Sequence, residues 1–400
     1  MPNANTFTPH PPSPGTSRSL SPLSPKSTIA VIGAGAFGGW TALSLWRAGF
    51  KVTLVDAWGP GNSRSSSGDE TRVIRSTYGA NEFYFDLNVR SLDLWKENER
   101  RFGRHFFYNT GVLWFCYDQK TAMLDDSIPF AKKHAMDYVY LSEADIRKQY
   151  PVVNTTDLHH AYFDPFGGYL KAREATQAVQ EAFCREGGKF IQAFVLPGEF
   201  HSGKLQGIKL SNGDTLQADT YLFACGSWMG QLFPEVLGSV ITCTKQEVYY
   251  FGLLHNQIGE YESFPVWVDV DGKDFYYGIP GNSHRGFKIG VDKRGEKFDP
   301  TTGDRVVSPG VLKEAREFIG YRFPGLKSAP LVESRVCPYE NSADGNFIFD
   351  RHPEAENVLF LGGGSGHGFK HGPGLGELVT EVLNGHRKIP DELRLPTPGV

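Results

Sequence analysis

Between Thr28 and Asp56 the chain spells out one supersecondary unit that few folds accommodate. A short apolar run, Thr28-Ile29-Ala30-Val31-Ile32, leads into Gly33-Ala34-Gly35-Ala36-Phe37-Gly38. A helical pattern follows through Trp40, Leu43, Leu45 and Trp46 and is ended by Gly49. A second strand, Phe50 to Val55, then closes on Asp56. In such a strand–turn–helix–strand unit the three glycines have separate tasks. One permits the tight turn, one lets backbone N–H groups approach a pyrophosphate, and one lets the helix pack closely. The helix N-terminus adds a preference for negative charge. Asp56 stands about 20 residues on, where a carboxylate can accept bonds from ribose hydroxyls. The unit therefore predicts dinucleotide binding at Gly33, Gly35, Ala36, Phe37, Gly38, Asp56 and Ala57. It does not choose between FAD and NAD. Its place at the start of the ordered chain is typical of FAD enzymes, and some NAD enzymes share it.

The rest of the chain continues in mixed α/β order. A Ser-rich loop from Gly59 to Glu70 precedes Thr71-Arg72-Val73-Ile74-Arg75, and helical periodicity runs from about Phe85 to Glu99. Val112 to Phe115 reads as a strand, and a helix is expected around Asp125 to His134. Ala175, Val179 and Phe183 share one face of a helix expected from Lys171 to Glu186. A strand-like piece at Tyr221 to Gly226 comes before a strand-heavy, aromatic stretch from Thr242 to Ile289. Near the end, the strand Val358 to Leu361, a glycine-rich turn from Gly362 to Gly368 and a helix through Leu375 to Leu383 close the pattern. At 400 residues two domains are the default. The expected fold is mixed α/β, a Rossmann-type domain interwoven with a second domain built on a large mixed sheet. The expected division places 27–95, 160–235 and 338–400 in the first, and 96–159 and 236–337 in the second.

Composition narrows the partners. Acids and bases nearly balance at a formal −4, and no Lys/Arg block stands out, so nucleic acid and anionic membrane are poor partners. No apolar run approaches the ~18 residues of a membrane span. Residues 1–26 are rich in Pro, Ser and Thr, lack acids and lack a signal-type apolar core, so a disordered extension is expected. The final Pro396 to Val400 carries no peroxisomal tripeptide. Five cysteines without C-x-x-C spacing argue against zinc and a disulfide framework, and for a reducing, cytoplasmic setting.

Three further segments carry a resemblance. Ser65-Ser66-Ser67-Gly68-Asp69-Glu70-Thr71-Arg72-Val73-Ile74-Arg75, Cys337-Pro338-Tyr339 and Gly364-Ser365-Gly366-His367-Gly368-Phe369-Lys370 resemble the monomeric sarcosine oxidase family. Its relatives oxidise N-methyltryptophan, pipecolate, saccharopine and fructosyl amino acids. The likeness runs from about Ser27 to about Arg387. It implies FAD, joined by a thioether to Cys337, with Ser66, Ser67, Thr71, Arg72, Gly364, Gly366, His367, Gly368 and Lys370 around it and Val195 at the adenine. It implies Lys288 for the reaction with O2 and Arg72 against the flavin ring. Arg75 and Lys370 would hold the substrate carboxylate, and Tyr277 and Tyr339 would line its cavity. The implied reaction is C–N oxidation of a carboxylate-bearing amine or imino acid, hydride passing to flavin N5 and O2 becoming H2O2, in a monomer. The alternatives are a flavin dehydrogenase with another acceptor, an oxidase of primary amino acids, an NAD dehydrogenase and a non-catalytic flavoprotein. Two departures stand out. The loop from Ser67 to Arg72 is one residue longer than in sarcosine oxidase, with Ser67 or Gly68 in place of a histidine. Asp292 replaces another histidine, which points to a substrate with a second positive group.

Overall fold

The computed structural model describes residues 20–270 and 275–396. The Rossmann-type unit forms with Thr28–Ile32 and Lys51–Asp56 as parallel neighbours and the helix Ala36–Arg47 between them. They belong to a six-stranded sheet in the order Ile348–Arg351, Val358–Gly362, Thr220–Phe223, Thr28–Ile32, Lys51–Asp56, Lys189–Gln192. All but the first strand are parallel. Helices therefore cover the sheet, as parallel strands buried on both faces require. The helix Ala172–Arg185 turns Ala175, Ala178, Val179, Ala182 and Phe183 into the core. The helix Glu82–Phe102 starts where the Asn81 side chain accepts the Tyr84 amide at 3.2 Å and stops at Gly103, whose φ of 65° no β-carbon opposes.

The second sheet has eight strands: Leu331–Ser342, Ile241–Phe251, Phe287–Val291, Tyr276–Ile279, Val266–Asp269, Val112–Cys116, His160–Asp164 and Val139–Ser142. Its pairs are antiparallel except Val266–Asp269 with Val112–Cys116. A three-stranded sheet of Thr71–Ile74, Gly168–Lys171 and Phe107–Tyr108 joins the two.

Several sequence expectations are corrected. His160–Asp164 belongs to the large sheet although 160 was the expected start of a dinucleotide-domain segment, because it pairs with both Val112–Cys116 and Val139–Ser142. Likewise Leu331–Ser342 is one unbroken strand across the expected boundary at 337/338. The helix expected around Asp125 to His134 is two short ones, Ala122–Asp125 and Ile128–Lys133. Pro129 has no amide to continue the first, and it sits in the first turn of the second, where that amide is not needed. The expected extension 1–26 ends in a docked segment. Leu20 and Leu23 pack on the core, and the Leu23 amide donates to the Leu383 carbonyl at 2.8 Å. Residues 1–19, and the C-terminal tripeptide at 398–400, lie outside the described residues. Among the described residues no helix is long and apolar enough to cross a membrane, and no acid, histidine and cysteine cluster could hold a metal.

Candidate active site

A cavity of about 440 Å3 runs across the carboxyl ends of the six-stranded sheet, where ligands of open α/β sheets bind. At its centre lies the glycine turn. Gly33 has φ +106°, and a β-carbon there would stand 2.2 Å from the Ala224 carbonyl oxygen. One at Gly38 would stand 1.9 Å from the Gly33 carbonyl oxygen. Any side chain at either place would push the helix off the strand. Gly33, Gly35, Ala36 and Phe37 line the cavity, while Gly38 serves the packing. Ser67 Oγ accepts the Ala36 amide at 3.1 Å and so ties the Ser-rich loop to the helix start.

Asp56 and Ala57 line the next stretch. The Asp56 carboxylate accepts the amides of Ala34, Trp58 and Gly59 at 2.8, 2.9 and 2.7 Å. Burial raises its pKa and these bonds lower it in part. Val195 lines the far end together with Phe194, Leu196 and Trp58. Trp58 packs on Phe194 and Trp228 with ring centroids 4.9 and 4.8 Å away. These aromatics carried no sequence signal of a site.

The opposite end is cationic. Arg72 donates from Nη2 to the Ser66 carbonyl at 2.6 Å and to Cys337 Sγ at 2.9 Å. Its Nη1 meets Asp69 Oδ2 at 2.5 Å, and Lys288 Nζ reaches the same oxygen at 2.5 Å. Tyr250 donates to Asp69 Oδ1 at 2.8 Å. Burial by itself would raise the Asp69 carboxyl, but Lys288 and Arg72 outweigh it and hold the group ionised, far below the usual carboxylate range. Burial pulls Lys288 below the ordinary lysine range, with Asp69 opposing and Arg72 reinforcing. Thr71, expected at the cofactor, instead turns its carbonyl and hydroxyl to Lys288 Nζ, at 2.9 and 3.4 Å. Ser66 Oγ donates to the Pro338 carbonyl at 2.6 Å, which fixes the loop to the strand bearing Cys337.

Gly364, Gly366, Gly368 and Tyr339 also line the cavity. His367 does not. Its Nε2 pairs with the Gly345 carbonyl at 3.0 Å and its Nδ1 with Tyr78 Oη at 3.1 Å, while His371 Nε2 sits 2.6 Å from that hydroxyl. A carbonyl only accepts, so Nε2 carries the proton and Nδ1 accepts from Tyr78. Burial and Lys370 bring His367 down to about 3, consistent with the neutral ring.

Beyond this network Arg75 and Lys370 converge. The Arg75 guanidinium lies 4.9 Å from the Tyr78 ring centre and 5.2 Å from that of Trp114. Lys370 Nζ lies 5.1 Å from the Tyr78 ring and donates to the His367 carbonyl at 2.9 Å. Burial and Arg75 push Lys370 well below its ordinary pKa, with Asp292 opposing. Asp292 itself is solvent-accessible, yet its depth within the protein raises its carboxyl against the pull of Arg75, Lys370 and Arg294. Tyr277 and Tyr339 share this region. Burial raises both phenols, and each feels Arg72 and Asp292. Of the expected residues at this end Arg72 and Tyr339 line the cavity, while Cys337 and Lys370, expected at the cofactor, do not; Cys337 and Lys288 join it through Arg72 and Asp69, and Arg75 and Lys370 lie around Tyr78. Asp69, Tyr250 and Tyr78, which tie them together, were missed. Asp69 lay inside a quoted motif, but its partner Lys288 is 219 positions away, a proximity that no local pattern records.

FAD fits the residues present. The turn leaves no room for a β-carbon at Gly33 or Gly38, and one buried polar atom of the lining, Glu340 Oε2, has no hydrogen-bond partner among the described residues. Two large sheets with a cavity at the glycine turn that runs from an aromatic end to a cationic one define the class: a dinucleotide-binding enzyme. Residues 28–382 match the family of FAD dependent oxidoreductases, and the chain belongs to it. It is 30% identical over 357 residues to monomeric sarcosine oxidase of Bacillus sp. (strain B-0618), covering 88% of this chain and 91% of that one. N-methyl-L-tryptophan oxidase of Yersinia pestis (strain Pestoides F) is 27% identical, covering 88% and 93%. A thermally stable mutant of fructosyl peptide oxidase superposes with a TM-score of 0.80 at 21% identity, covering 94% and 95%, and shares the fold.

Proposed function

We propose that the protein is an FAD-dependent oxidase of the C–N bond of a small secondary amine carrying a carboxylate, such as an N-methyl, N-alkyl or cyclic imino acid. The Arg75–Lys370 pair carries this reading. Among the described residues neither cation has a carboxylate within 4.0 Å, and Asp164 and Asp292 act on the pair only at longer range. A buried lysine beside a half-buried arginine, with no carboxylate in contact with either, is costly, and an incoming carboxylate would satisfy both. Two relatives are named for N-methylated amino acids, which fits.

FAD, when bound, supplies the two-electron oxidation of the carbon beside nitrogen. Arg75 and Lys370 orient the substrate through its carboxylate, and Tyr277 and Tyr339 wall its cavity. Arg72 and Lys288 hold positive charge where electron-rich species form. Such pre-set charge in a dry site is the largest lever a protein has on a reaction. Lys288→Met should therefore slow the reaction with O2 by ~10²-fold or more while leaving anaerobic reduction of the cofactor nearly unchanged. Stopped-flow traces of both half-reactions check this, and equal rates in the oxidative half would refute the role. Cys337 tethers the cofactor in this reading. Denatured, washed protein should stay yellow, and Cys337→Ser should lose its colour under the same treatment. Asp292, whose charge acts on Arg75 and Lys370, favours substrates with a second positive group in this reading. Asp292→His should shift preference away from them, and an unchanged ranking of substrates would count against it.

The test of the whole reading is anaerobic bleaching of the protein's visible absorption. A panel of sarcosine, other N-methyl amino acids, proline, pipecolate, saccharopine, fructosyl amino acids and primary amino acids would be tried. Bleaching by one carboxylated class fixes the substrate. A yellow protein bleached by none of them overturns the clamp.

A further inference from the structure

Glu340 is an acid that the chemistry above does not use, and its setting is unusual. It is 9% exposed, on the strand Leu331–Ser342, and lines the cofactor cavity. The amides of Gly363 and Gly364 bond its carboxylate, but among the described residues Oε2 has no partner. Among the described residues no cation answers it, and burial raises its pKa to about 7. Its head lies in the gap between two turns at the ends of neighbouring strands. Gly364 would place a β-carbon 3.1 Å from Oε1, and Gly226 would place one 3.9 Å from both oxygens. Ser227, next in the chain, lines the same cavity wall, its hydroxyl paired with the Cys243 thiol. A buried acceptor without a donor costs stability unless a ligand supplies one.

The position narrows that ligand group. Gly363 and Gly364 follow Val358–Gly362, which lies two strands from Thr28–Ile32 and its glycine turn. Two strand spacings are about 10 Å, so Glu340 sits beyond the pyrophosphate cradle and short of the Arg72–Cys337 end. A phosphate has no proton to donate and would be repelled by a carboxylate. A polyol donates readily. We propose that Glu340, with Ser227 beside it, is the seat for the ribityl hydroxyls of FAD, accepting at Oε2 the hydrogen bond that no described residue supplies. This rests on the FAD assignment and is independent of which amine is oxidised.

A binding seat and a structural residue differ in sign. In a Cys337→Ser background, where flavin exchanges freely, apoprotein would be titrated with FAD by fluorescence quenching, and its thermal midpoint recorded without FAD. Glu340→Leu should weaken FAD binding by roughly tenfold or more without lowering the apoprotein midpoint, since the partnerless carboxylate is gone. Glu340→Gln, which keeps the shape and one acceptor, should fall between. FAD analogues lacking single ribityl hydroxyls should bind the Glu340 protein several-fold more weakly at one position, and that penalty should vanish in Glu340→Leu. Unchanged FAD affinity in Glu340→Leu, or a deoxy penalty equal in both proteins, overturns the proposal. So does a loss of apoprotein stability that accounts for all lost affinity. If Glu340→Leu does not fold, the analogue series on the Glu340 and Glu340→Gln proteins decides. A parent protein that binds no FAD would instead overturn the cofactor assignment.

Discussion

Asp69→Asn is expected to lower folding stability by about 3–5 kcal/mol, read as a shift of the denaturant midpoint at pH 7. Asp69 is the one anion shared by Lys288 and Arg72, both at 2.5 Å from Oδ2, and its side chain is fully buried. Asparagine keeps the shape and an acceptor for one donor but leaves two cations facing each other with no counter-charge. A surface pair would be worth a fraction of this; burial makes the difference. The pH dependence has a definite sign. The native pKa of Asp69 is depressed, so its contribution is present in full above the unfolded value near 4. It is lost as pH falls from there towards the native value. The gap between parent and variant should therefore narrow below about pH 4. The same variant should slow the O2 half-reaction more than flavin reduction, because Lys288 loses the partner that fixes its position. A variant as stable as its parent at pH 7 would mean that other groups neutralise the two cations.

Removing either half of the proposed carboxylate clamp is the second large expected effect. Arg75→Met or Lys370→Met should reduce kcat/KM for a carboxylated amine by ~10²- to 10³-fold, since truncating one partner of a desolvated charge pair costs about 2–5 kcal/mol. For an amine without the carboxylate the same variants should change little. Arg75→Lys should restore only part of the loss, because an ammonium lacks the planar fork that grips both oxygens. Equal losses for substrates with and without the carboxylate would show that the two cations hold the cofactor or the fold, and not the substrate.

The glycine turn and Asp56 were legible from sequence because the strand, turn, helix and strand that build them are contiguous, and local sterics dictate each step. The same holds for the helix Ala172–Arg185, whose apolar face has a period of its own. Motif likeness carried Cys337, Lys370 and Arg75 to one site without saying how they meet. The Asp69–Lys288–Arg72–Tyr250 knot was not legible, since its members come from three separated segments and ion pairs leave no periodic trace. Nor was the isolation of Glu340, which depends on two glycine turns closing around it. His160–Asp164 shows the same limit for strands, because its sheet is chosen by partners on either side and not by its own residues.

The chain by itself thus determined a dinucleotide fold, its glycine cradle and the inventory of charged groups, all properties of local sterics and side-chain chemistry. Only the tertiary structure decided which charges are buried, which neutralise one another and which are left for a ligand. Those outcomes follow from desolvation and from distances of a few ångströms between segments far apart in the chain, and a linear sequence contains neither.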